Sequence, residues 1–304
     1  MPLKIIKATD PIEVKTLVLC LYAAPGVGKT STGFTADAPL LLDADHGVHR
    51  SKNRKDSTRI ETWDDAANVT QEDMAPFKTV VVDTAGRMLD VMAVDIIKGD
   101  PKNGTKGGAL SLQGYGVMKS RFAAWLTMIR SFGKDVVLLC HSDEQRKGDD
   151  LIERLDMQGS SKNEVYKSAD VMGRIYMRGK ARVLNFSPTD TAFGKNPAAM
   201  DPIEVPDFAA EPNFLGKVIA DVKASMNKLS EAQIKAAGVL DVWRKEIDGA
   251  KAMADFDKLV AASNDAPEDV RKTVKNMINK AAKGKGFAWD AKTKRFDLAP
   301  TKAA

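Results

Sequence analysis

Between residues 16 and 187 the chain alternates short, almost wholly apolar runs with stretches whose apolar residues recur every three or four positions. The runs 17–22, 39–43, 79–83, 135–140, 171–177 and 182–186, with the more polar 58–61, predict strands. A strand apolar on both sides of its pleat is buried on both faces, as in a mainly parallel sheet covered by helices. Helices are expected over 29–35, 85–97 and 116–132, and in the second Leu89, Met92, Ala93 and Ile96 share a face. The pattern therefore predicts an α/β core over residues 1–187.

Two stretches interrupt it. Residues 99–116 form a long connection rich in glycine and lysine, and 142–150 are polar after an apolar strand. Residues 188–212 hold five prolines with little periodicity, which predicts a linker or a surface arm. Residues 213–304 then read as a small helical module. Ser230-Glu231-Ala232-Gln233 has the form of a capping box at a helix start, with Ile234, Trp243 and Ile247 as its apolar stripe. Pro267-Glu268-Asp269 opens a further helix whose apolar face is Val270, Val274, Met277 and Ile278. Phe287, Trp289 and Phe296 flank a closing turn.

The chemistry begins at Ala23-Ala24-Pro25-Gly26-Val27-Gly28-Lys29-Thr30-Ser31, between the first strand and the first helix. Strand, glycine-rich turn and helix are the context a phosphate-binding loop requires. Residues Ala24, Pro25, Gly26, Val27, Gly28 and Ser31 would form the phosphate cradle, all but Pro25 offering a backbone N–H, helped by the positive end of the helix. Lys29 is expected to reach the β- and γ-phosphates of ATP, and the Thr30 hydroxyl to ligand Mg²⁺. Ala23 stands where the pattern G-x-x-x-x-G-K-[ST] begins with glycine, a place a small residue can fill if its φ is negative.

Three strand ends complete the candidate site. Val80-Val81-Val82-Asp83 offers a carboxylate for the Mg²⁺ shell. Leu40-Leu41-Leu42-Asp43-Ala44-Asp45 offers Asp45, and second Asp43, to orient or deprotonate an attacking water, although such acids also suit the cap of a turn. Cys140-His141-Ser142 ends the 135–140 run, where His141 or Ser142 could sense the γ-phosphate, or His141 could be a structural strand-end residue. His46 and His49 have no further histidine or cysteine near them in sequence to make a metal site.

Charge sharpens the division into two parts. From Phe214 onward there are 18 Lys or Arg against 12 Asp or Glu, a net +6 that leaves about −1 for the rest of the +5 chain. A basic module on a near-neutral core suits an acidic partner, nucleic acid first, and equally suits a solvated lysine-rich surface. Cys20 and Cys140, both in apolar runs, read as buried thiols in a reducing compartment. No apolar run approaches a membrane span and the N-terminus has no signal-peptide pattern, so a cytoplasmic protein without membrane partners is expected.

The order P-loop, Asp43-Ala44-Asp45-His46, Val-Val-Val-Asp83, then a strand ending in His141-Ser142 resembles the RecA-type recombinase core. More closely it is similar to the compact phage-encoded RecA-like single-strand annealing proteins. Gln113-Gly114-Tyr115-Gly116 and Lys195-Asn196-Pro197 add to that likeness, which covers residues 16–206. In the RecA run the place of Asp45 holds the catalytic glutamate, one methylene longer. The resemblance implies a DNA-stimulated ATPase that binds single-stranded DNA and promotes annealing or strand pairing, its subunits assembling as rings or filaments in the cytoplasm of an infected bacterium. Nucleotide would lie at the subunit interface, completed in trans by Lys195, with Lys180 and Arg182 as competitors. DNA would follow the basic loops 98–116 and 142–167, and the C-terminal module would bind DNA or a single-strand-binding protein. The rival readings are a motor or loader ATPase acting on a protein, and an ATP-gated binding module that hydrolyses little.

Overall fold

The computed structural model describes residues 3, 13–147, 150–157, 161–290 and 293–298. The chain divides into two compact units, one over Val14–Met226 and one containing the described residues after Met226.

The first unit is built on β1 (Val18–Ala23), α1 (Lys29–Gly33), β2 (Pro39–Asp43), β3 (Ser57–Arg59), α2 (Trp63–Ala67), α3 (Gln71–Met74), β4 (Thr79–Asp83), α4 (Ala85–Gly99), α5 (Leu112–Ser131), β5 (Asp135–Lys147), β6 (Asp150–Leu155), α6 (Ser161–Ser168), β7 (Val171–Arg178), β8 (Ala181–Asn185) and β9 (Ile203–Glu204). The strands lie in the order β3-β2-β4-β5-β1-β7-β8-β9, with β6 paired to the outer part of β5. From β3 to β7 every pairing is parallel, while β6, β8 and β9 are antiparallel.

The apolar runs bury both faces of the sheet. Val18, Cys20 and Tyr22 of β1, Val80 and Val82 of β4, and Val136 and Leu138 of β5 face α2, α4 and α5. The alternate residues Leu19, Leu21, Val81, Val137 and Leu139 face Phe34 after α1 and the first turns of α7 (Phe214–Gly249), through Leu215, Val218 and Ile219. Cys20 and Cys140 are buried free thiols with sulfurs 3.7 Å apart on neighbouring strands.

The second unit contains the end of α7, α8 (Met253–Ala262), α9 (Glu268–Gly284) and the antiparallel hairpin β10 (Phe287–Asp290) and β11 (Arg295–Leu298). Phe256, Ile247, Val270, Val274, Ile278 and Phe296 form its own core. Among the described residues no helix is long and apolar enough to cross a membrane.

Several expectations need correction. The strand expected at 135–140 runs on to Lys147 and turns back as β6, so His141 and Ser142 lie inside a strand rather than at its end. Helix α5 starts at Leu112, capped by the Ser111 hydroxyl on Gly114 N–H, so the 99–116 connection is shorter than its glycines suggested. Gly114 is needed there, because a Cβ would stand 2.3 Å from the Asn103 carbonyl. Residues 188–212 do not tether two units. They lie within the first, where Lys195 and Met172 exchange backbone hydrogen bonds and β9 extends the sheet. Helix α7 runs through Ser230, so the expected helix start there is a position inside a longer helix, and the division between units falls within α7.

Helix α1 sits unusually close to the sheet. A Cβ on Gly33 would come within 2.9 Å of Val81 Cγ1 and 3.1 Å of Leu139 Cδ1. Gly33→Ala should therefore destabilise the protein by about 1–3 kcal/mol through overpacking. The lowered midpoint is read from urea unfolding, and an unchanged midpoint would contradict this account of the α1–sheet contact.

Candidate functional site

The parallel register brings the candidate residues to one edge. Asp43 pairs with Asp83 across β2 and β4, Asp83 with Leu139 across β4 and β5, and Ala23 with His141 across β5 and β1. Strand β5 lies between β1 and β4, and the chain passes from β5 to β7 on the opposite flank of β1. The carboxyl ends around β1 and β5 are thus a topological switch point, where open α/β sheets bind ligands.

A cavity of about 550 Å³ opens there, lined by Pro25, Gly26, Gly28, Lys29, Thr30, Ser31, Asp45, Asp83 and His141, all expected from the sequence. Gly26 and Gly28 have φ of 79° and 98°, a left-handed backbone that glycine adopts without strain. Ala23 is the last residue of β1 and has no positive φ, so the missing first glycine costs the turn nothing. Ala24 contributes its carbonyl, and Val27 packs into the core beneath the loop.

Lys29 is buried, and its ammonium donates to the Ala23 and Ala24 carbonyls at 3.0 and 3.1 Å. Burial lowers its pKa, against the pull of the neighbouring Asp83 charge. The Thr30 hydroxyl donates to Asp83 Oδ2 at 2.6 Å. Burial pushes the Asp83 carboxyl up to about 6; the Thr30 hydrogen bond opposes that rise, and the charges of Asp45 and Asp43 add to it. Burial, then the Lys29 charge, lowers the pKa of His141. Its Nδ1 is buried at the cavity wall without a hydrogen-bond partner among the described residues. Ser142 does not line the cavity; it pairs with Leu155 in the hairpin.

The two candidate acids separate. Asp43 accepts from Gly47 N–H at 3.0 Å and Val48 N–H at 3.3 Å, so it caps the turn after β2. Asp45, held across from Asp83 by backbone bonds to the Asp83 carbonyl, faces the cavity. There Arg50 reaches it at 3.2 Å and Arg87 at 3.7 Å. Arg50, Gly47 and Ser51 also line the cavity and were not expected. The only sequence signal for them is a basic residue in the turn that follows an acidic strand end.

The cations proposed to act in trans differ in their engagement. The Lys195 ammonium donates to the Ala169 carbonyl of its own chain at 2.7 Å. Arg182 lies against the chain's own P-loop, where a Cβ on Gly28 would stand 3.1 Å from its Cζ. Lys180 is exposed and makes no ion pair among the described residues. Tyr115 packs on the core and Tyr166 accepts from Leu155 N–H, so neither is a free stacking platform.

The donor set fits a nucleoside triphosphate with a divalent cation: a glycine-rich turn between strand and helix, a buried ammonium, a hydroxyl and a carboxylate in contact, and a cavity of ligand size. A family model described as an AAA domain matches residues 15–198. Among solved structures, a KaiC-like protein from the hyperthermophilic archaeon Pyrococcus horikoshii OT3 is 10% identical, covering 55% of this chain and 76% of that one with a TM-score of 0.33. No curated protein matches.

The raised Asp83 carboxyl has a consequence for stability. Between about pH 4 and 6 the folded state holds a proton that the unfolded chain has released, so this group's contribution falls as pH rises through that window. Asp83→Asn should therefore raise the stability of the nucleotide-free protein at pH 7.5, by about 1–3 kcal/mol, with the gain disappearing toward pH 4. Thermal melts across that range test it, and a variant less stable at pH 7.5 would contradict the assignment.

Proposed function

The chain belongs to the AAA domain family, and from that premise we propose that it binds Mg²⁺–ATP, hydrolyses it slowly, and acts as a RecA-like protein that pairs or anneals single-stranded DNA. The observation that carries the nucleotide reading is the 2.6 Å contact of Thr30 with Asp83 beside the buried Lys29. A hydroxyl and a carboxylate from two different elements meet where the metal of a triphosphate would lie. Bound Mg²⁺ would neutralise phosphate charge. The protein's own part is to move the Lys29 ammonium from the Ala23 and Ala24 carbonyls to phosphate oxygens, and to hold the γ-phosphate end near Asp45, Arg50 and His141.

Asp45 is the proposed base or water-orienting group. Its carboxylate is one methylene shorter than a glutamate and is engaged by Arg50 and Arg87, which supports low basal turnover. Release of Asp45 from these guanidinium groups by a γ-phosphate that competes for Arg50 would couple occupancy to hydrolysis. Side-by-side assembly would complete the site with a cation in trans. Lys180 suits that role better than Lys195, whose ammonium already has a carbonyl partner.

The DNA reading is supported by the resemblance and by the exposed Lys102 and Lys106 between α4 and α5. The β5–β6 hairpin also continues directly from the strand carrying His141. With Tyr115 and Tyr166 used in packing, affinity in this unit would come from phosphate contacts and fall steeply with salt.

Lys29→Ala should weaken ATP binding by at least about 100-fold with the melting curve unchanged, and unchanged affinity in calorimetry would remove the P-loop reading. Asp45→Asn should leave ATP affinity within a few-fold and lower turnover by about 10²-fold or more. Equal turnover in the variant would assign water activation elsewhere. An annealing assay with labelled oligonucleotides, with and without ATP, tests the DNA reading, and no ATP effect on annealing would favour a protein partner.

A further inference from the structure

Several exposed cations of the first unit are matched by carboxylates: Lys78 by Asp37, Arg87 by Asp90, Arg121 by Asp95 and Lys217 by Glu211. Helix α9 of the second unit is different. It buries Val270, Val274, Ile278 and Ala282 in its own core. Its outer face presents Lys272, Asn276, Asn279 and Lys283, all exposed and spaced to form one stripe, with Thr273 and Lys280 beside it. After Glu268 and Asp269 in its first turn the helix has no acid. Across residues 270–298 there are nine Lys or Arg against two Asp.

These cations divide by what they do. Lys275 donates to Asn264, Arg271 to the Ala266 carbonyl and Lys285 to the Ala250 carbonyl, so all three have partners within the unit. Lys272, Lys280 and Lys283, with Lys294 and Arg295 on the hairpin, are exposed and make no ion pair among the described residues. Like charges along one helix face repel and destabilise it slightly. A polyanion supplies the missing countercharge. The stripe contains no apolar residue to anchor in a membrane or in the dry centre of a protein interface, and its Asn and Thr side chains are neutral hydrogen-bonding groups. Its length from residue 272 to 283 is about 16 Å at the helical rise, the span of about five phosphates along one strand.

We propose that α9 and the β10–β11 hairpin form a nucleic-acid-binding face that grips the phosphodiester backbone without nucleotide, separately from the P-loop site. The proposal does not depend on the ATP reading, whose failure would show in ATP titrations of the wild type and Lys29→Ala.

The test uses the full chain without nucleotide and measures anisotropy of labelled single-stranded and duplex oligonucleotides between 50 and 200 mM salt. Wild type should bind at least one form in the absence of nucleotide. The triple variant Lys272→Gln, Lys280→Gln, Lys283→Gln should bind at least about 10-fold more weakly and lose about two to three from the slope of log K against log salt. The matching triple Lys→Arg variant should keep the slope, which separates lost charge from lost fold. An unchanged slope in the Gln variant, no binding by wild type without ATP, or competition by polyglutamate as strong as by oligonucleotide would each overturn the proposal.

Discussion

The contact between the Thr30 hydroxyl and the Asp83 carboxylate is the point on which the functional architecture turns. It joins the helix after the glycine-rich loop to the end of β4, two strands away from β1, and it can form only because β5 lies between them in parallel register. The same register sets Asp45 across from Asp83 and His141 beside Ala23. Burying a carboxylate and an ammonium at one strand edge is costly unless each is partnered. Thr30 and the Ala23 and Ala24 carbonyls provide those partners, and a metal-bound triphosphate offers better ones.

Most of the sheet was legible in the sequence because strands buried on both faces need continuous apolar runs. Residues 39–43 and 79–83 coincide with β2 and β4 for that reason. Elements that depend on other constraints were not legible. The outer half of β5, from Ser142 to Lys147, is wholly polar or charged because there the strand leaves the core and pairs with β6. Helices α2 and α3 are too short for periodicity, and are held by Thr62 and Thr70 caps. Gly114 resembles loop punctuation, yet it is a helical residue pressed against the Asn103 carbonyl. In the site, the P-loop and Asp83 follow from motif and context. The division of labour between Asp43 and Asp45 does not, since either could cap the turn, and only the backbone path after β2 decides it. Arg50 was hidden because nothing in its neighbours marks it as facing the cavity.

The two units answer different physical demands. The first concentrates polar groups at one edge of a large apolar sheet and pairs several of its exposed cations. The second, with a small core around Phe256, leaves a helix face whose lysines make no ion pair among the described residues. Stability explains the pairing of the first unit's exposed cations, whereas its polar edge is held at a cost to stability, as the raised Asp83 carboxyl shows. The second is a surface that an anion would improve.

In the proposed function, Thr30 and Asp83 hold one metal ion on a triphosphate seated over Lys29. The most direct measurement is a double-mutant cycle of Thr30→Val and Asp83→Asn on the Mg²⁺-dependent part of ATP affinity. Each single variant should lose most of that dependence and the double variant little more, a coupling of about 1–3 kcal/mol. Losses that simply add, or a Mg²⁺ dependence untouched by either substitution, would contradict it.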